Sequence, residues 1–124
     1  EARKDGGAEG TLYLGKAYEA TGDYNYASSV YQHYLSKYGA NATIYNQLGL
    51  CEMAKHNYEQ ALMAFQSGMQ VEDNDIMQSM QFNEIVAHEY LGDYKEATAL
   101  LEHYIEVYPD DEKAKREQQF LLTR

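Results

Sequence analysis

Three turn-like triplets, Gly22-Asp23-Tyr24, His56-Asn57-Tyr58 and Gly92-Asp93-Tyr94, divide the chain at nearly equal intervals, and this period restricts its possible folds more than its composition does. Tyr24 and Tyr58 are 34 residues apart, and Tyr58 and Tyr94 are 36 apart. Three residues after each Tyr stands an Ala (Ala27, Ala61, Ala97), and four residues further a large apolar or aromatic side chain (Tyr31, Phe65, Leu101). Upstream, Leu14-Gly15 and Leu48-Gly49 are also 34 apart. A period of this length means one supersecondary unit used several times, each copy burying its apolar face only against its neighbours.

The local chemistry makes each unit a pair of helices. The single proline, Pro109, leaves the chain upstream of it free to form uninterrupted helices. Gly22 and Gly92 supply the left-handed residue that ends a helix, and Asp23, Asn57 and Asp93 are residue types that accept backbone N–H bonds at the next helix start. These signals predict helices over 8–21, 24–37, 41–55, 58–70, 76–91 and 94–107. After Pro109, Asp110-Asp111-Glu112-Lys113 has the acidic first turn of another helix. Phe120, Leu121 and Leu122 are expected to pack back on the stack, while Glu117, Gln118, Gln119 and Arg124 keep the outer side polar. Two glycines and four charges in Glu1 to Gly7 predict a frayed start.

The spacing resembles the tetratricopeptide repeat, whose outline is Trp-x2-Leu-Gly-x2-Tyr, then Ala-x3-Phe, then Pro, on a 34-residue period. Residues 8–41 fit with Leu14, Gly15, Tyr18, Gly22, Tyr24, Ala27 and Tyr31, but have Thr11 for the Trp and Gly39 for the Pro. Residues 42–77 keep Tyr45, Leu48, Gly49, Tyr58, Ala61 and Phe65, with Glu52 at the Tyr site and Asp73 at the Pro site. Residues 78–111 replace Leu-Gly by Glu84-Ile85 and the Tyr by His88, yet keep Gly92, Tyr94, Ala97, Leu101 and Pro109. The two additional residues are expected in the acidic turn Glu72-Asp73-Asn74-Asp75. The resemblance implies an all-α, right-handed superhelical stack of three helix-turn-helix repeats, closed by a capping helix at 112–124. Ile85 in place of the Gly predicts a third helix pair spaced or tilted differently from the others.

What the resemblance implies about function is a concave groove lined by the first helix of each pair. Carried over residue by residue, it selects Glu9, Leu12, Tyr13, Lys16 and Glu19 in the first repeat, and Thr43, Asn46, Gln47, Leu50 and Met53 in the second. In the third it selects Ser79, Phe82, Asn83, Val86, Glu89 and Tyr90. Amides at Asn46, Gln47 and Asn83 suit a peptide backbone; Leu12, Leu50, Met53, Phe82 and Val86 offer apolar contact; Lys16 is the only base. The subfamily that clamps acidic C-terminal peptides points several Lys, Arg and Asn side chains inward. Leu12, Lys16, Gln47, Ser79 and Asn83 stand at those places here and do not form such a clamp.

Composition narrows the partner. Twenty acidic and ten basic residues give a net charge of −10, which repels nucleic acid and anionic lipid surfaces. Residues 63–124 hold 13 acidic and 5 basic side chains, so a neutral to basic protein or peptide is the expected partner, with self-association through the end faces as the alternative. No apolar run is long enough to span a bilayer. The chain opens on Glu1 rather than Met, as a mature form or a piece of a longer protein would, and a cytoplasmic and an extracytoplasmic location both fit.

Chemistry finds little footing. The one cysteine, Cys51, lies in an apolar helical stretch and reads as a small buried hydrophobe. The thirteen tyrosines fall mostly at packing sites: Tyr18, Tyr24, Tyr31, Tyr58 and Tyr94 are expected in the core, with Tyr13, Tyr45 and Tyr90 less constrained. Glu84 and His88 have the i,i+4 spacing of two metal ligands, the basis for a metal-assisted hydrolase reading, but no third ligand stands at a recognisable spacing. No G-x-S-x-G turn or Cys-His signature is present, and Gly6-Gly7-Ala8-Glu9-Gly10 lacks the ending of a phosphate loop. We therefore expect neither catalytic residues, metal nor cofactor.

Overall fold

A computed structural model describes residues 7–72 and 74–123. Among them are seven α-helices: α1 (Ala8–Ala20), α2 (Tyr24–Tyr38), α3 (Ala42–Ala54), α4 (Tyr58–Met69), α5 (Met77–Tyr90), α6 (Tyr94–Val107) and α7 (Glu112–Leu122). Each end of the first six lies within one residue of the sequence expectation. Each helix packs against the next, α1 on α2 through to α6 on α7, so the chain is an all-α stack of three helical hairpins and a terminal helix. Of the frayed start expected at Glu1 to Gly7, residues 1–6 lie outside the described residues, as do Asp73 of the acidic turn and Arg124; Gly7 stands at the N-terminal end of α1 with φ 84°.

The turns work as their residues dictate, with one exception. Gly22 and Gly92 hold φ of +83° and +82°, and His56 occupies the same left-handed place at φ 64°. Asp23 Oδ1 accepts from the Tyr26 N–H and Asp93 Oδ1 from the Glu96 N–H. Asn57, expected to cap α4, makes no such bond. Its Nδ2 instead donates to Glu52 Oε1 at 3.0 Å. Glu52 is buried and accepts from Ser28 Oγ at 2.7 Å and Lys55 Nζ at 3.3 Å on its other oxygen. A buried carboxylate needs donors more than a helix start beside solvent needs an acceptor, so the Asn57 amide turns inward. Burial works to raise the Glu52 pKa, but the bonds from Asn57 and Ser28 and the Lys55 charge outweigh it, and the carboxyl sits below its ordinary value.

The core is built by exchange of volume between paired helices. Tyr31 and Phe65 are fully buried, their rings lying where Gly15 and Gly49 leave out a side chain. In the third hairpin Ile85 and Leu101 are both buried instead. The bulk that Ile85 adds on α5 is matched by a smaller residue on α6, which is how this hairpin accommodates the lost glycine. A third set follows the same logic: Tyr34, Gly68 and Tyr104 stand in register on the second helices, and Gly68 leaves space taken by Met80 and Tyr45.

Side chains on the first helices that face the preceding hairpin complete the stack. Ile44 and Cys51 of α3, Met80 and Ala87 of α5, and Ala114 and Leu121 of α7 are all buried. Cys51 is the small buried residue expected, and its thiol lies 3.3 Å from the Tyr24 carbonyl oxygen. Burial pushes its pKa up. Of the three apolar residues expected to seal α7, only Leu121 is buried; Phe120 is partly exposed and Leu122 is 69% exposed. A helix with one partner surface buries one stripe, and residues one step either side of Leu121 must leave it. Tyr94 is also exposed rather than in the core, while Tyr18 and Tyr58 are half-buried and stacked on Tyr26 and Tyr90 with ring centroids 4.3 and 4.9 Å apart.

Candidate functional site

The first helices α1, α3 and α5 carry the residues selected for the groove. Tyr13 is 81% exposed, Tyr90 62% and Leu50 38%, and Lys16 also faces solvent. Asn46, Gln47, Met53, Asn83, Val86 and Glu89 are half-buried. Adjacent helices are tied along this wall by side-chain hydrogen bonds. Asn83 Nδ2 donates to Asn46 Oδ1 at 2.9 Å, joining α5 to α3. Gln47 Nε2 donates to Glu19 Oε2 at 3.2 Å, joining α3 to α1, and the Tyr31 hydroxyl donates to the same oxygen. Burial and this carboxylate together push the Tyr31 phenol well above its ordinary pKa. The amides expected to meet a peptide therefore spend part of their capacity holding the wall in shape. An Asn has two donors and an acceptor, so the Asn83–Asn46 bond leaves further donor and acceptor positions on both.

Phe82 does not belong to the wall. It is 7% exposed, in a cluster with Ile85, Ala97, Leu101, Tyr104, Ala114 and Leu121. Its ring meets the Tyr104 ring edge-on at 5.7 Å, and the Lys113 ammonium lies 4.2 Å from its centroid. The capping helix covers the register place that Leu12 and Asn46 occupy in the earlier hairpins. α7 is anchored there by Asp111, which accepts from the Lys113 and Ala114 N–H groups and from the Tyr104 hydroxyl. Burial first, then the bond to Asp111, pushes the Tyr104 phenol up to about 12.

In compensation, α7 adds residues that the groove selection missed. Glu117 and Phe120, with Val86, Glu89 and Tyr90 of α5 and Tyr94 of α6, line a pocket of about 510 Å³. The signal was available. Continuing the repeat register past Pro109 puts Glu117 at the place of Tyr13, Gln47 and Asn83, and Phe120 at the place of Lys16, Leu50 and Val86. Reading α7 as a cap alone hid its role as a fourth first helix.

The residues weighed for metal chemistry have other partners. Glu84 Oε2 accepts from Gln66 Nε2 at 3.1 Å, and His88 Nδ1 lies 3.6 Å from Asp93 Oδ2. Among the described residues, no group of three or more His, Cys, Asp or Glu side chains is placed to hold an ion. No described helix is long and apolar enough to cross a membrane.

A family model for the tetratricopeptide repeat matches residues 11–40 and 81–111. The match falls on the first and third hairpins; the second departs from the pattern at Glu52 and Asp73. No curated protein matches the sequence. Among solved structures, the second tetratricopeptide domain of human RPAP3, in complex with the HSP70 peptide SGPTIEEVD, is similar with a TM-score of 0.80 and 18% identity over 92% of this chain and 93% of that one. The tetratricopeptide domain of Arabidopsis OM64 is similar with a TM-score of 0.78 and 25% identity over 91% and 92% of the two chains. The repeat period, the stacked hairpins and the matched model agree: the first and third hairpins are tetratricopeptide repeats, and the stack as a whole has the fold of a tetratricopeptide domain.

Proposed function

We propose that this chain is a non-catalytic interaction module whose concave groove holds an extended or helical peptide of neutral to basic, partly apolar character. The observation that carries this reading is the row of exposed apolar side chains, Tyr13, Leu50 and Tyr90, on successive first helices tied together by the Gln47–Glu19 and Asn83–Asn46 hydrogen bonds. A preorganised wall of this kind loses little entropy on binding. The RPAP3 domain of the same fold holds a peptide. That peptide is acidic, whereas the clamp places here hold Leu12, Lys16, Gln47, Ser79 and Asn83, with a single base, and the protein carries −10. A basic ligand suits this chain better.

The test is quantitative capture from lysate of the source organism, comparing the native protein with a Tyr13→Ala, Leu50→Glu variant. Both residues are exposed, so the variant keeps its fold. We expect at least one protein to be captured by the native chain and depleted roughly tenfold or more with the variant, since a central anchor in a groove is worth about 1–2 kcal/mol or more. Identical captures would count against the groove.

A second reading has its own observation. Gly10, Leu14 and Ala17 of α1 occupy the register of Ile44, Leu48 and Cys51, which are buried against the preceding hairpin; Leu14 is 46% exposed. An end face of this shape suits a further helix, from a second copy or from a larger repeat array. If it drives self-association, sedimentation will show a concentration-dependent dimer that Leu14→Glu abolishes; a monomer at every concentration removes the self-assembly reading.

A further inference from the structure

We propose that the pocket between α5 and α7 binds the basic side chain, Lys or Arg, of a peptide ligand; the proposal rests on the groove reading above and names the ligand chemistry of one end of it. The pocket is lined by Val86, Glu89, Tyr90, Tyr94, Glu117 and Phe120. One repeat earlier, the same register places hold Leu50, Met53, Ala54, Tyr58, Asn83 and Val86, with no charge. One repeat earlier still, they hold Lys16, Glu19, Ala20, Tyr24, Gln47 and Leu50, where one acid meets one base. Only the third cleft joins two carboxylates to three aromatic rings.

That combination has a specific complement. A Lys or Arg side chain has an apolar stem that lies along Val86 and Phe120, and a cationic head that the Tyr94 and Phe120 rings and the side of Tyr90 turned away from Tyr58 attract and the Glu89 and Glu117 carboxylates receive. Arg fits best, because its planar head both stacks on a ring and bonds a carboxylate. No Lys or Arg of the described residues forms an ion pair with Glu117. The surrounding half of the chain holds 13 acidic and 5 basic residues, so its field draws a cation toward the pocket and repels an acidic tail.

Nα-acetyl-L-arginine methylamide is the probe, with the norleucine methylamide as its uncharged counterpart, titrated into the 15N-labelled full chain. Arginine should produce saturating amide shifts centred on Val86, Glu89, Tyr90, Glu117 and Phe120, and norleucine should bind at least about fivefold more weakly, the factor expected for a cation held by partly exposed carboxylates and rings. Glu89→Gln with Glu117→Gln, a change that keeps helix propensity and shape, should bring arginine down to the norleucine level. Equal binding of the two probes, shifts centred on Glu96, Glu102 and Glu106 of α6 instead of the pocket, or an unaltered arginine affinity in the double variant would each overturn the proposal. Tyr13→Ala, Leu50→Glu lies outside the pocket and should leave the arginine titration unchanged, so loss of the groove reading and loss of the pocket show up in different variants.

Discussion

Gly49→Ala should destabilise the protein by about 2–3 kcal/mol, as added bulk in a filled core does. A Cβ built on Gly49 falls 2.3 Å from Cε1 of the fully buried Phe65 ring, with two more ring carbons within 2.7 Å. The ring has nowhere to retreat, because Ala61, Ala87, Met53 and Leu62 surround it. The third hairpin shows how the same place tolerates a side chain: Ile85 is buried opposite Leu101, a smaller residue than Phe65. Phe65→Leu should therefore cost about 1 kcal/mol alone yet recover most of the Gly49→Ala loss when the two are combined. Chemical denaturation of the four proteins measures this coupling directly. Additive effects would mean that the glycine and the ring are not a matched pair. Gly15 and Tyr31 repeat the arrangement, with the Tyr31 ring 2.3 Å from an added Cβ.

Glu52→Gln should destabilise the protein by about 1–2 kcal/mol at neutral pH and by progressively less as the pH falls toward 3. The native carboxylate accepts from Ser28, Asn57 and Lys55 in a buried interface between α2, α3 and the α3–α4 turn. Its pKa is lowered from 4.5 because these donors outweigh burial. A carboxyl depressed on folding adds stability that is fully present above its unfolded pKa and is lost as the pH falls through its folded one. The native protein should accordingly weaken below about pH 4.5 more steeply than the Gln variant, which has no carboxyl there to protonate. Asp111, also depressed by the Tyr104 hydroxyl, adds a share that both proteins lose. Urea midpoints at a series of pH values give the result; parallel curves for the two proteins would mean that Glu52 is not held by its donors.

The helices and their pairing were legible because the signals are local: a glycine that ends one helix, an Asp that caps the next, and an Ala and a large residue at fixed offsets. The Glu52 network was not. Its replacement of the family Tyr is plain in the sequence, but one of its donors, Ser28, stands 24 residues away on another helix. The same network removes Asn57 from the cap that its residue type predicts. Register also carried the groove only as far as the environment repeats. Phe82 occupies the place of Leu12 and Asn46, yet α7 covers it, while Glu117 and Phe120 of α7 take up the wall beyond. A periodic sequence shows which positions are equivalent; the ends of the stack decide which of them meet solvent.

The groove is put to the test by the affinity of peptides selected from a random displayed library, determined by calorimetry on the native chain and on Tyr13→Ala, Leu50→Glu. The groove account predicts selected sequences that combine Lys or Arg with apolar residues, and a loss of roughly tenfold or more in the variant. Selection of acidic peptides, or of peptides that bind both proteins equally, would contradict it.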